Sequence, residues 1–173
     1  MFEYSGKAIC FGDDINTDYI ISSRRKKDTI NPDELVQYIM EDIRPGLASE
    51  INKNSLIVAG ENFGCGSAME VAVQVLKSAG IQVILAKSFA RSYYRNSVNN
   101  GILPIEMDTS DIREGDIVQV SMDDNRILVT DIRTNMVTSC PAFNGKIKEI
   151  LSIGGIVPYI RQKESKCQNS EDE

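Results

Sequence analysis

A glycine-rich turn, Gly60-Glu61-Asn62-Phe63-Gly64-Cys65-Gly66-Ser67, stands between an apolar run and an amphipathic segment. Three glycines within seven residues allow a tight turn and a close backbone approach to a ligand. The next segment has helical spacing, so its free N–H groups and the positive end of its dipole point back at the turn. This pattern predicts an anion-binding site with a hydroxyl at its edge, and the alternative is a tight connection that binds nothing.

Two common phosphate-binding loops do not fit this turn. The dinucleotide fingerprint G-x-G-x-x-G requires a third glycine at the position of Met69. The pattern G-x-x-x-x-G-K-[ST] fails at Cys65 and Gly66. A free-standing nucleotide-binding module is therefore excluded on spacing.

Ser67 and Cys65 are the two side chains of the turn that could act on a substrate. Ser67-Ala68-Met69-Glu70 fits the S-x-x-E capping box, so on the residues alone a helix cap is favoured over a catalytic hydroxyl. Cys65 is a possible nucleophile, but no neighbouring base would activate it, which favours a small residue that fills the loop.

Charged residues nearer the N-terminus form a second group of candidates. One cluster contains acids and a hydroxyl, and its alternative is a set of turn-forming acids: Asp13, Asp14, Thr17 and Asp18. Arg24 and Arg25 are able to hold a carboxylate in a bidentate fork. The alternative for both arginines is a solvated run of charge, since Lys26 and Lys27 follow them.

The composition limits the possible functions. The chain has 173 residues, a net charge of −6, four cysteines outside any C-x-x-C pair and no histidine. A metal or iron–sulfur site carried by this chain alone is not expected, and neither is general nucleic-acid binding. No apolar run reaches the roughly 20 residues of a membrane helix, and the N-terminus lacks a signal layout, so we expect a cytoplasmic protein.

The apolar pattern predicts an α/β fold. Buried strands at 55–59, 83–86 and 102–105 alternate with helices at about 68–79 and 88–98, which implies parallel strands joined by right-handed crossovers. Asn31 and Pro32 open a further helix that we expect to reach about Asp42. The remaining predictions are a strand and turn within 7–22, a small β-rich lobe with strands at 116–120, 126–130 and 135–139, and a helical region at about 143–161.

Several long motifs in order resemble one family. They are Gly12-Asp13-Asp14-Ile15-Asn16-Thr17-Asp18 with Ile20-Ile21, Gly60 to Ser67, Ala86-Lys87-Ser88-Phe89-Ala90-Arg91 with Tyr94-Arg95-Asn96, and Gly101-Ile102-Leu103-Pro104. This chain resembles the small subunits of the aconitase-type hydro-lyases, above all those of the 3-isopropylmalate dehydratase type. The likeness extends from about residue 5 to 162, so we expect one domain at 1–162 and a disordered polar tail at 163–173.

The resemblance implies a swivelling β/β/α domain of the aconitase C-terminal type. It closes over a [4Fe-4S] cluster held by a separate large subunit, with no cofactor or metal in this chain. Carried over by position, Ser67 is the general base, Thr17 and Asp18 are an active-site pair, and Arg24 binds a substrate carboxylate. Arg25 and the turn residues Gly64, Cys65 and Gly66 are the other expected substrate contacts.

This chain departs from the family at two places. The family usually reads Gly-Ser-Ser-Arg-Glu-His where this chain reads Gly66-Ser67-Ala68-Met69-Glu70-Val71. Met69 thus replaces an arginine that is expected to hold a substrate carboxylate, and loss of such a partner costs about 2–5 kcal/mol. Lysines also replace the apolar residues of the specificity loop, which weakens the case for an isopropyl group there.

Three explanations for Met69 stay open. The substrate is less charged at that end, or Arg25 or a large-subunit residue supplies the charge, or this subunit is inactive and serves as a non-catalytic partner. The expected reaction is the isomerisation of 2-isopropylmalate to 3-isopropylmalate. The alternatives are a hydro-lyase small subunit for 2,3-dimethylmalate, citramalate or homoaconitate. We expect a small hydroxy-diacid and a large subunit as partners, no nucleic acid or membrane, and a homo-oligomer when the chain is isolated.

Overall fold

A single seven-stranded sheet organises the molecule, in the order β4-β3-β2-β1-β5-β6-β7. The computed structural model describes residues 2–27, 29–143 and 145–169. The strands are β1 Phe2–Cys10, β2 Ser55–Ala59, β3 Val83–Ala86, β4 Leu103–Glu106, β5 Ile117–Met122, β6 Arg126–Asp131 and β7 Met136–Pro141. The helices are α1 Thr17–Ile20, α2 Pro32–Leu35, α3 Leu47–Glu50, α4 Glu70–Ser78, α5 Arg91–Asn100, α6 Gly145–Ser152 and α7 Ile156–Asn169.

The first half of the sheet is parallel, as the strand–helix–strand pattern predicts. Strands β1 to β4 pair in register, with Ile9 beside Ile57, Ile57 beside Ile84 and Ile84 beside Pro104. Every residue of β2 and β3 is buried because helices and loops cover both faces, which explains their continuous apolar runs. Helix α4 makes the crossover from β2 to β3 and helix α5 the one from β3 to β4, so the α/β prediction is confirmed.

The second half is an antiparallel extension of the same sheet. Strand β1 pairs with β5 antiparallel, with Tyr4 opposite Val120, and β5, β6 and β7 continue as a meander. The predicted β-rich part is therefore present, and β1 joins it to the parallel half. The first strand starts at Phe2, earlier than the expected segment at 7–22.

The core lies on both faces of the sheet. Neighbouring residues of β2 enter different clusters, since Ile57 packs with the side of α4 and Leu56 with the side of α6. Helix α5 contributes to both clusters, through Tyr93 and Val98. This packing fixes the carboxyl ends of β2 and β3, and the glycine turn begins directly after the end of β2, at Gly60.

The predicted helix from 31 to about 42 is wrong beyond its first turn. Asn31 caps α2 as expected, because its side chain accepts the Asp33 N–H at 3.2 Å. A 3-10 turn follows at 36–38, and Met40 has a φ of +53°. The Met40 N–H donates to the Ile20 carbonyl at 3.0 Å and its side chain is buried, so a tertiary contact ends the helix.

At the C-terminus, α7 runs from Ile156 to Asn169. The helix continues past residue 162, where we expect the domain to end, and that domain boundary stays a prediction. Residues 170–173 of the expected tail lie outside the described residues. Within the residues that the structure describes, no helix combines the length and the apolar character needed to cross a membrane.

Candidate functional site

Hydrogen bonds between backbone groups join the glycine turn to the segment before α1. Three of them, each 2.8 Å long, connect the Asp14 N–H to the Glu61 carbonyl, the Gly64 N–H to the Ile15 carbonyl and the Thr17 N–H to the Cys65 carbonyl. Asn16 and Cys65 also form a parallel β-bridge. These contacts bring the two predicted groups of site residues together, although about 50 residues separate them along the chain.

Gly64 and Gly66 are required by close packing in the turn. Both have a positive φ, +77° at Gly64 and +90° at Gly66. A Cβ at Gly64 would lie 2.0 Å from Tyr93 Cγ, and one at Gly66 would lie 2.5 Å from Asn16 Oδ1. The structure therefore places protein side chains against these glycines, and their contact with substrate stays a prediction.

Ser67 does not cap α4, so the capping box is wrong. The N-cap is Met69, with no side-chain cap bond, and the Glu70 carboxylate instead accepts from Asn100 Nδ2 at 3.3 Å. The Met69 N–H donates to the Ser67 carbonyl at 2.7 Å, and this tight turn delays the helix start. The Ser67 side chain is exposed, and its hydroxyl bonds to no other described residue.

Thr17 and Asp18 support the backbone around Ser67. The buried Thr17 hydroxyl donates to the Ser67 carbonyl at 3.0 Å. Asp18 accepts the Ser23 N–H at 3.2 Å and also the Ser23 hydroxyl, while Asn16 caps α1 by accepting the Asp18 N–H at 2.9 Å. Thr17 thus fixes the turn and Asp18 fixes the loop after α1, and their action on a substrate stays a prediction. Asn16 was missed as a site residue, although its type and place were those of an N-cap.

The two arginines of that loop contact carboxylates of this chain. Arg24 pairs with Asp42 and lies 3.5 Å from Glu41. Arg25 donates to both Glu41 oxygens at 2.8 and 2.9 Å, and its guanidinium carbon lies 3.9 Å from the Tyr38 ring centroid. The hydrogen bond between them raises the pKa of Arg25 and lowers the pKa of Glu41. Their predicted role in holding a substrate carboxylate competes with these internal pairs.

The acids before α1 form turn contacts, which is the alternative to a functional polar cluster. Asp13 accepts the Glu61 N–H at 2.7 Å, and Asp14 accepts from Asn62 Nδ2 at 2.7 Å. Cys65 is half-buried, and desolvation followed by the charge of Asp14 raises the pKa of its thiol. A raised pKa disfavours the thiolate, so Cys65 is better suited to fill the turn than to attack a substrate.

Lys26 is a further neighbour of the turn, although its place in a run of charged residues predicts only exposure to solvent. Its ammonium contacts the Met69 sulfur, so a cation lies beside the position where Met69 replaces the expected arginine. Within the described part of the chain, no group of three or more His, Cys, Asp or Glu side chains is arranged to hold a metal ion. A cleft of about 780 Å³ lies elsewhere, next to Phe2, Leu103 and Leu151.

Comparisons with known proteins agree with the fold and the motifs. Residues 25–110 match the aconitase C-terminal domain family. The chain is 41% identical to the methanogen homoaconitase small subunit of Methanocaldococcus jannaschii, covering 91% of each chain. It is also 41% identical to the 3-isopropylmalate dehydratase small subunit of Halothermothrix orenii, covering 90% of this chain and 94% of the relative.

A solved structure matches over nearly the whole chain. The crystal structure of 3-isopropylmalate dehydratase from Methanocaldococcus jannaschii superposes with a TM-score of 0.87 at 38% identity, covering 99% of this chain and 100% of the other. Together with the sequence relatives, this match extends from β1 to the C-terminal helices. The chain belongs to the family of aconitase-type hydro-lyase small subunits, built on the aconitase C-terminal domain.

Proposed function

We propose that this chain is the small subunit of a two-subunit hydro-lyase that isomerises 2-isopropylmalate to 3-isopropylmalate through isopropylmaleate. The observation that carries the proposal is the exposed Ser67 hydroxyl, which is free of the expected cap and stands next to the first turn of α4. Relatives that are 41% identical over 90% and 91% of this chain are named 3-isopropylmalate dehydratase small subunits.

In this proposal Ser67 Oγ takes the proton from the substrate carbon that lies next to a carboxylate. Loss of hydroxide from the adjacent carbon completes the elimination of water and leaves an alkene, and water adds back with the opposite placement of proton and hydroxyl. A serine alkoxide is strongly disfavoured near neutral pH. The N–H groups of Glu70 and Val71 have no acceptor within the helix, and with the α4 dipole they favour negative charge at this end.

Thr17 and Asp18 have positioning roles in the same proposal. Thr17 holds the Ser67 carbonyl, so the direction of the Ser67 side chain depends on it. Asp18 holds Ser23 and thereby the loop that carries Arg24 and Arg25. Arg24 is the more accessible of the two arginines for contact with a substrate, with 61% of its side chain exposed against 37% for Arg25.

The cluster belongs to the partner in this proposal. The described residues of this chain do not fit a [4Fe-4S] cluster, because they offer no set of three clustered ligands. On the large subunit, such a cluster supplies a Lewis acid for the substrate hydroxyl and carboxylate. We further propose a cytoplasmic enzyme that acts on a free hydroxy-diacid, on the basis of the acidic composition and the named relatives.

A second candidate keeps the chemistry and changes the substrate. One relative is a homoaconitase small subunit, and Lys26 and Lys27 replace the apolar residues expected around an isopropyl group. A substrate with a further polar or charged end, of the homoaconitate kind, suits these lysines better than a branched alkyl group. Hydro-lyases for 2,3-dimethylmalate and citramalate belong to the same class.

The test is Ser67→Ala in the enzyme reconstituted with its large subunit. Loss of a general base lowers kcat by about 10² to 10⁴-fold. The free energy of unfolding of the small subunit should change by less than about 0.5 kcal/mol, since the hydroxyl is exposed and makes no described bond. A true cap would instead cost about 0.5–2 kcal/mol.

Ser78→Ala is the matched control, because Ser78 is an exposed serine at the other end of α4. It should leave both kcat and assembly unchanged. If the activity of Ser67→Ala stays within a few-fold of the wild-type value, Ser67 is not the general base. If the wild-type complex is inactive on every hydroxy-diacid of the class, the alternative of a non-catalytic subunit is favoured. A panel of isopropylmalate, homoaconitate, dimethylmalate and citramalate ranks the substrates.

A further inference from the structure

One face of the antiparallel half of the sheet is open to solvent. Alternate side chains of β5, β6 and β7, among them Val120, Val129 and Cys140, are buried in the core. The side chains between them point away from the core and are exposed or half-buried. We name this the open sheet face, and its members on these strands and directly after β6 are Ile117, Gln119, Ser121, Leu128, Thr130, Ile132, Val137 and Ser139.

The composition of the open sheet face is that of a contact surface. None of the side chains named above is charged, although charged residues make up 25% of the chain. Val137 is 56% exposed and Ile117 is 45% exposed. Surfaces of β-sheets that stay free of partners usually carry charged side chains, and the centres of protein interfaces are depleted in them. The charges around this face lie at its margins, on β1 and at Arg126, which pairs with Asp123 at 3.7 Å.

The strand registers arrange the face in rows that run across the sheet. The central row consists of Ser5, Gln119, Thr130 and Val137. The row on one side of it contains Glu3 and Leu128, each joined to Ser121 by the register. The row on the other side contains Lys7, which is opposite Ile117, and Ile132, whose N–H donates to the Ile117 carbonyl at 3.0 Å. The two outer rows therefore have an acid and an apolar residue on one side, and a base and an apolar residue on the other.

This arrangement is complementary to itself under a two-fold rotation about the central row. Two sheets that pack face to face lie about 10 Å apart, with strand directions within about 30°. The rotation reverses each strand, so Glu3 of one copy faces Lys7 of the other, and Leu128 faces Ile132. Gln119 and Thr130 face their own copies, and both side chains donate and accept hydrogen bonds. One axis therefore matches charge with opposite charge and apolar with apolar residues, as an isologous interface requires.

Glu3 and Lys7 have no ionic partner among the described residues. No opposite charge lies within 4.0 Å of either side chain in that part of the chain. Four positions along a strand separate them by about 13 Å, so they do not pair with each other. The two-fold rotation forms two ion pairs from these groups, one at each end of the shared β1 column.

We infer that the open sheet face binds a second copy of this chain, and that the two copies pack with β1, β5, β6 and β7 antiparallel to their counterparts. Four strands of about six residues cover about 400 Å² on each copy. A standard interface buries about 800 Å² per partner, so the dimer is weak and its Kd is micromolar. The residues of the candidate site are elsewhere, on 13–26 and 60–70, so Ser67 stays open to the large subunit. The inference is independent of the proposed function.

Sedimentation of the isolated full-length chain at about 5–500 μM tests this inference through exchanged charges. The wild-type chain should show a monomer–dimer equilibrium. Glu3→Lys and Lys7→Glu should each raise the dimer Kd by about 10-fold, because each places like charges together at two symmetric contacts. The double variant that carries both changes should return Kd to within about threefold of the wild-type value.

A second pair of variants tests the central row. Gln119→Lys brings two ammonium groups together at the axis and should leave the chain monomeric over the same range. Gln162→Lys is the matched control, because Gln162 is an exposed glutamine on α7, and it should leave Kd unchanged. Thermal unfolding at low concentration verifies that both variants are folded, since each position is exposed.

Four results would overturn the inference. The first is a wild-type chain that stays monomeric up to about 500 μM, and the second is a double variant that associates no better than Glu3→Lys alone. The third is equal dissociation of Gln162→Lys and Gln119→Lys. The fourth is loss of assembly with the large subunit in Gln119→Lys without any change in self-association, which would assign the open sheet face to the large subunit.

Discussion

The hydroxyl of Thr17 should control activity through the position of Ser67. Its side chain is buried, and Oγ1 donates to the Ser67 carbonyl at 3.0 Å. Thr17→Val keeps the branched shape and removes only the donor. This hydrogen bond joins α1 to the glycine turn. Without it, the Ser67 carbonyl keeps only one of its two donors, and the backbone at Ser67 is held less firmly.

The expected loss of unfolding free energy in Thr17→Val depends on the hydrogen bonds that the Ser67 carbonyl still accepts. The Met69 N–H still donates to it at 2.7 Å, so the acceptor is not left unpaired. The loss is then that of one ordinary hydrogen bond, about 1 kcal/mol of the free energy of unfolding. For a domain of this size, that change lowers Tm by about 2–4 °C.

Thr109→Val is the matched control, since it removes the same kind of bond elsewhere. Thr109 is also buried, and its Oγ1 donates to the Ala59 carbonyl at 2.8 Å. Both variants should lose about 1 kcal/mol. Only Thr17→Val should lower kcat, by about 10-fold or more, because a displacement of about 1 Å at a reacting group costs up to about 100-fold.

The assay is steady-state turnover of the reconstituted enzyme, with chemical unfolding of each isolated small subunit. Equal losses of kcat in the two variants would mean that stability alone controls activity. A normal kcat in Thr17→Val would show that this bond does not position Ser67. Either result would refute the reasoning from the structure.

Two further predictions concern stability. Gly64→Ala should lower the free energy of unfolding by about 2 kcal/mol more than Gly46→Ala. Both glycines have a positive φ, but only a Cβ at Gly64 would collide with a side chain, that of Tyr93. Equal losses for the two variants in chemical unfolding would contradict this prediction. Hydrogen bonds from Arg133 lower the pKa of Asp116, so their contribution is present above the unfolded-state pKa of about 3.9 and is lost as pH falls through the folded pKa. Unfolding free energy followed from pH 6 to pH 2 should show this loss, and Asp116→Asn should flatten it.

The parallel half of the fold was predictable because each element carried its own local signal. The strand at 55–59 is a continuous apolar run, as a strand buried on both faces requires. The strand at 83–86 has the same character, and the helices between strands show apolar residues at helical spacing. Local pattern and tertiary burial agree in these elements, so the sequence alone was sufficient.

The misses occur where a distant contact overrides the local pattern. The S-x-x-E spacing at Ser67 is a sound local signal, but bonds from Thr17 and Met69 to the Ser67 carbonyl hold the chain in a turn instead. The helix expected to reach 42 ends early because Met40 bonds to Ile20. The contact between Lys26 and Met69 joins residues 43 positions apart, and no periodicity within either segment signals it.

The exposure of Ser67 favours a site that is shared between two chains. A serine acts as a base only where fixed hydrogen-bond donors, and not water, stabilise its alkoxide. Such donors stabilise charge much more strongly in a site from which water is excluded. Ser67 is exposed and Lys26 is half-buried, while the cleft of about 780 Å³ in this chain lies next to Phe2 and Leu151. The described residues therefore place the hydroxyl and the cation but do not exclude water from them. A catalytic role for Ser67 therefore requires a second surface over both groups, which is the role that the proposed function gives to the large subunit.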